Sequence, residues 1–253
     1  MRRELARRAI LHKKRTNVSV APSRALAVGA VGLGCLLDAY SVSDETSFDE
    51  LPVEARDFLV ASALAHSGCM RFGHFSHNDK PYRCRDFKTA SGASWRLRSS
   101  WSKYEISATM QGTAAYSILF SPKGPAYGSS TITAAALLSW HMKGRAQSDM
   151  LFRTAGSHGL LSRSRFQAWL RLSFAAALPL MSQAQVDLLS PHSFRAGRAS
   201  DLWRSKASAE MIKRAGRWAS SAFRLYIRDG FLELVNYSRL DSIVNCEQLL
   251  EAL

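Results

Sequence analysis

Ser190-Pro191-His192-Ser193-Phe194-Arg195-Ala196-Gly197 is followed by Ile212-Lys213-Arg214-Ala215-Gly216-Arg217-Trp218 and then by Arg224-Leu225-Tyr226-Ile227-Arg228. Ser190 suits an N-cap and Pro191 a first helical position, where a missing N–H costs nothing. His192 and Arg195 then stand at i and i+3 on one face of a first turn, where the helix dipole favours an anion. Downstream, Ala209 to Ala215 reads as a short helix ended by Gly216, with a turn at Ser220–Ser221. A last helix is expected over 222–228, setting Tyr226 between Arg224 and Arg228. A phenol is a poor nucleophile at neutral pH and needs cationic neighbours or a base. Guanidinium groups supply the charge, and the same groups would neutralise a phosphoryl-transfer transition state.

These three ordered elements resemble the His-x-x-Arg box, the Gly-Trp box and the nucleophilic tyrosine of the tyrosine-recombinase (phage-integrase) family. The wording is most similar to integrase-like sequences of eukaryotic mobile elements. The resemblance implies two upstream residues: an arginine at the end of an apolar helix, supplied by Arg71, and a lysine in a β-hairpin, supplied by Lys103 after Ser102, with Lys123, which also follows a strand, as the alternative. It implies that Tyr226 attacks the scissile phosphate to form a 3′-phosphotyrosyl link. Arg71 and Arg195 would grip the non-bridging oxygens, and Lys103 would protonate the leaving oxygen. His192 would assist proton transfer, and Trp218 would occupy the family's second-histidine place. Bond energy is kept in the covalent intermediate, so no metal or nucleotide cofactor is implied. The implied function is site-specific recombination or integration of DNA; the alternative is a catalytically decayed member that only binds DNA. Two departures from the family pattern stand out. His74 occupies the place where an acid usually supports the first arginine, and Trp218 and Tyr226 are one position closer than in many members.

Charge agrees with a nucleic-acid partner. The chain has 253 residues, with 34 Lys and Arg against 20 Asp and Glu, a formal net charge of +14. Residues 1–24 carry +7, residues 191–228 another +7, and residues 229–253 carry −4. A phosphate backbone rewards such blocks, because each neutralised phosphate releases condensed counterions; an anionic membrane surface is the rival partner on charge alone. The basic start reads equally as a mitochondrial-type presequence or, through Lys13, Lys14 and Arg15, as a nuclear signal. The compartment stays undecided, with the nucleus expected if the chain is eukaryotic. Four cysteines exclude a disulfide scaffold. The longest apolar run, Leu26 to Leu37, is too short for a membrane span, so no membrane partner is expected.

Outward from the motif, helices are expected over 24–37, from Leu51 towards Gly68, over 133–143 and over 164–178. Phe166, Trp169, Leu170, Leu172 and Phe174 form the expected core face of the last of these. Residues 41–48 read as a loop. Trp95–Arg98 and Ala114–Phe120 read as strands flanking a polar turn that contains Lys103. The fold class is therefore α+β, mostly helical with a small antiparallel sheet or hairpin, similar to a tyrosine-recombinase catalytic domain. The expected organisation is a basic segment and linker over 1–48, with the family's DNA-clamping domain missing or truncated. The catalytic domain follows over 49–230, then an acidic amphipathic tail over 231–253. Double-stranded DNA is the expected partner, with self-association on it. Cys69, His74, His77 and Cys84 could suggest zinc, but their spacing fits no common zinc module.

Overall fold

From Ala55 onward, Val53–Ser67 is buried on almost every side, with Ala55, Phe58, Leu59, Val60, Ala61, Ala63, Leu64 and Ala65 all buried. A helix whose apolar residues run all round it belongs inside a domain. In the computed structural model it is the central helix, packed by helices on several sides. The structure describes residues 25–72, 82–89, 95–99, 116–128, 130–152, 161–218 and 220–227. In chain order the helices are α1 (Ala30–Ala39), α2 (Glu45–Asp49), α3 (Val53–Ser67), α4 (Ala134–Met142), α5 (Arg163–Ala177), α6 (Gln183–Asp187), α7 (Ser193–Arg204) and α8 (Ala209–Gly216). The strands are β1 (Phe87–Thr89), β2 (Trp95–Ser99) and β3 (Tyr116–Phe120). The architecture is α+β and mostly helical.

The three strands form one antiparallel sheet in the order β1-β2-β3. Leu97 faces Phe87 on one side and Ile118 on the other, and all three are buried. The indole N–H of Trp95 donates to Ser139 Oγ at 2.7 Å, tying the sheet to α4. The β2–β3 pairing agrees with the expected hairpin, whereas β1 was not anticipated. Its three residues, entered from a 3-10 turn at Cys84–Asp86, are too few to show a period. Lys103 and Trp101, in the connection between β2 and β3, lie outside the described residues, as do His74 and His77.

Several expectations are corrected. The helix expected from Arg24 begins only at Ala30, because the chain before it is spent on pairing. Leu26 N donates to Leu188 O and Val28 N to Ser193 O, so these amides are satisfied outside a helix. Residues 45–49 are a helix rather than loop, closed by a capping box between Asp44 and Ser47. Leu172 is 70% exposed, since the buried face of α5 runs through Phe166, Leu170 and Phe174 at i, i+4 and i+8. The described part of the expected linker is built into the core, through Val28, Leu33, Leu36, Leu37, Val42 and Phe48.

Where the 25–29 segment meets α7 the fit is backbone on backbone. A Cβ on Gly197 would sit 1.8 Å from Val28 O, so only glycine permits this approach. Asp201, one turn on, accepts from Ala30 N at 2.8 Å and lies 2.9 Å from His66 Nε2. One carboxylate thus joins α1, α3 and α7. Among the described residues no helix is long and apolar enough to cross a membrane.

Candidate active site

The site is assembled from three chain segments: the end of α3, the start of α7, and the turn after α8. Helix α3 stops at Gly68, and Cys69 follows in the left-handed region at φ 47°, which leaves the Gly68 and Cys69 carbonyls to be met from elsewhere in the chain. Helix C-termini attract cations, and two arginines answer. Arg217 donates to Gly68 O at 3.0 Å and to Cys69 O at 3.2 Å, while Arg195 donates through Nη1 to Cys69 O at 3.1 Å. The chain then leads through buried Met70 to partly buried Arg71.

Arg195 is fully buried, on the third residue of α7. Its Nη2 donates to Gly216 O at 2.6 Å, so one guanidinium fastens the end of α8 to the loop after α3. Helix α8 is capped by Ser208, whose side chain accepts from Met211 N, and ends with Arg217 in the left-handed conformation at φ 57°. That reversal swings Trp218 back over Gly216, where a Cβ would lie 1.7 Å from the indole. The Trp218 ring covers the Arg195 guanidinium at 4.5 Å, within cation–π range.

Tyr226 completes the cluster. Ser221–Tyr226 is a 3-10 turn rather than the expected α-helix over 222–228, with Ser220 accepting from Ala222 N at its start. Phe223 is buried against Trp218 and pins the turn. The Tyr226 ring lies 5.1 Å from that of Trp218 and 5.6 Å from the Arg195 guanidinium. Arg224 is exposed, and Arg228 lies outside the described residues.

His192 is the N-cap of α7, so the helix starts two residues later than Pro191 suggested. Ser190 and Ser193 take up each other's polar groups in the preceding turn. The i, i+3 relation to Arg195 survives the shift. Burial, then the charges of Arg163, Arg195 and Arg71, hold the His192 imidazole below its ordinary value. It is therefore neutral near pH 7 and able to accept a proton.

Of the residues singled out in the sequence, Arg71, His192, Arg195, Trp218 and Tyr226 gather here, and Lys103 lies outside the described residues. Arg217, Gly216 and Cys69 were missed as parts of the site. An αL cap after Gly216 was the available signal for Arg217, but its bonds reach some 150 positions back along the chain, beyond any local pattern. Among the described residues no group of three or more His, Cys, Asp or Glu side chains could hold a metal ion.

No protein-family model matches the chain, and no curated protein does. Among solved structures, the chain is similar to the XerH site-specific recombinase bound to its difH substrate in a pre-cleavage complex, with 14% identity and a TM-score of 0.48. That match covers 84% of this chain and 53% of the other. A post-cleavage complex of XerH on palindromic difH gives 13% identity and a TM-score of 0.49, over 86% of this chain and 52% of that one. The chain thus spans about half the length of these recombinases.

Proposed function

We propose that this chain is a DNA strand transferase of the tyrosine-recombinase class. The observation that carries the reading is convergence: Arg195, Trp218 and Tyr226, from three separate sequence elements, form one cluster, with His192 one turn before Arg195 on the same helix face and the charge of Arg71 acting on it. In the proposed reaction the Tyr226 hydroxyl attacks the scissile phosphate. A phosphotyrosyl bond forms at the 3′ side, the bond to the 5′ oxygen breaks, and that oxygen leaves protonated as a hydroxyl. Arg71 and Arg195 neutralise the non-bridging oxygens, neutral His192 moves the nucleophile's proton, and Lys103 supplies the leaving group's. Double-stranded DNA is the substrate, self-association on it brings two duplexes together, and integration of a mobile element is the setting.

The Arg195 guanidinium is fully covered, and both terminal nitrogens bond backbone carbonyls. For Arg195 to reach a phosphate, Tyr226 or Trp218 has to shift off it as DNA enters. This burial also favours the second reading, a decayed member that binds DNA without cutting it. The two separate in one assay: incubation with nicked fragments of the DNA flanking the chain's own gene, followed by denaturing electrophoresis. A denaturant-resistant adduct that Tyr226→Phe cannot form supports the transferase. Salt-sensitive binding of the same fragments with no adduct supports the second reading.

A further inference from the structure

Phe166 is buried one turn into α5, with Phe72 at 4.9 Å and Phe194 at 6.1 Å from its ring. Phe72 follows Arg71 directly, and Phe194 lies between His192 and Arg195. This aromatic floor therefore brings the start of α5 to the site. Arg163 is three residues before Phe166 and on the same helical face. It is exposed, and no described acid forms an ion pair with it; Arg165, two residues on, is paired with Glu54.

We propose that Arg163 is a third cation of the site, contacting a DNA phosphate beside the one that Arg71 and His192 address. This rests on the transferase or DNA-binding reading above. Two features support it. Among the described residues no acid pairs with the exposed Arg163, and its charge adds to the like-charge repulsion at the site that a polyanion relieves. Its charge also acts on the His192 imidazole, together with those of Arg195 and Arg71. The charged groups acting on His192 are Arg163 from α5, Arg195 from α7 and Arg71 from the loop after α3, all cations. With burial, these charges keep His192 below its ordinary value.

The test compares wild type, Arg163→Gln, Arg163→Lys and the control Arg165→Gln. Binding to a short mixed-sequence DNA duplex is followed across a salt series, and His192 is titrated by NMR without DNA. Arg163→Gln is expected to lower the slope of log affinity against log salt by about 1, with roughly tenfold weaker binding at low salt. Arg163→Lys should retain most of the slope, and Arg165→Gln should leave it unchanged. The His192 titration should move to higher pH in Arg163→Gln and stay in place in Arg165→Gln. A wild-type slope in Arg163→Gln, or equal losses in both Gln variants, overturns the phosphate contact. An unmoved His192 titration overturns the coupling. If the wild type binds with no salt dependence, the DNA reading itself fails and this proposal with it.

Discussion

Arg195 does two things at once: it joins the loop after α3 to the end of α8 through Cys69 O and Gly216 O, and it lies under the Trp218 and Tyr226 rings. Lysine keeps the charge but has one compact ammonium in place of a planar fork, so it cannot span both carbonyls. Arg195→Lys is expected to lose about 2–3 kcal/mol of stability in urea denaturation, from buried acceptors left without a donor. If DNA cleavage occurs, it should fall by orders of magnitude in that variant. Unchanged stability would mean that the two carbonyls do not depend on Arg195. Gly216→Ala is a cleaner probe of the cluster, because the new Cβ would collide with the indole of Trp218. We expect it to reduce adduct formation far more than DNA affinity; equal reductions would show that Trp218 serves the fold alone.

At the scale of elements, α7 is the axis on which the site is mounted, and its neighbours are fixed to it by contacts that tolerate no extra atoms. Gly197→Ala would press a methyl group into the Val28 carbonyl and push the 25–29 segment off α7. The expected cost is about 3 kcal/mol, read as a lower denaturation midpoint; a neutral result would place the contact outside the native packing. The helices that local chemistry announces were legible in the sequence. Thr133, Ser162 and Ser208 each cap the helix that follows, and the alternation at Trp95–Leu97 gave its strand. What stayed hidden depends on distant partners. Residues 25–29 look helical by composition, yet their amides pair with Leu188 and Ser193. The last turn is 3-10, with Phe223 packed against Trp218, a partner that the local sequence of the turn does not reveal. The motif residues of the candidate site could be read from their order, whereas Arg217 joins them only through packing, by its bonds to Gly68 O and Cys69 O.

Over the whole molecule, acid is expected to weaken the fold through His66. Burial, opposed by Asp201 and reinforced by Arg198, holds this fully buried imidazole below its ordinary value of 6.5. A histidine with a depressed folded-state value takes up its proton more readily unfolded. Its contribution to stability is therefore complete above the unfolded value and lost as pH falls below it. Asp201 acts in the same direction lower down. Although burial raises it, the hydrogen bond and charge of His66, the amide of Ala30 and the charge of Arg204 leave it below the ordinary carboxylate range. Its contribution is lost as pH falls below about 4. Chemical denaturation between about pH 7 and pH 5 should show stability declining by at most about 1.4 kcal/mol per pH unit for His66. His66→Gln should flatten that slope, and an equally steep slope in the variant would assign the acid sensitivity elsewhere.

The central claim, that Tyr226 is the nucleophile of a DNA-cleaving site, is tested most directly by locating the covalent bond. The wild-type adduct would be digested with protease and nuclease, and the peptide carrying residual nucleotide identified by mass. The account expects the nucleotide on Tyr226, through a 3′-phosphate, and no such peptide from Tyr226→Phe. A nucleotide on any other residue, or an adduct that persists in Tyr226→Phe, would contradict it.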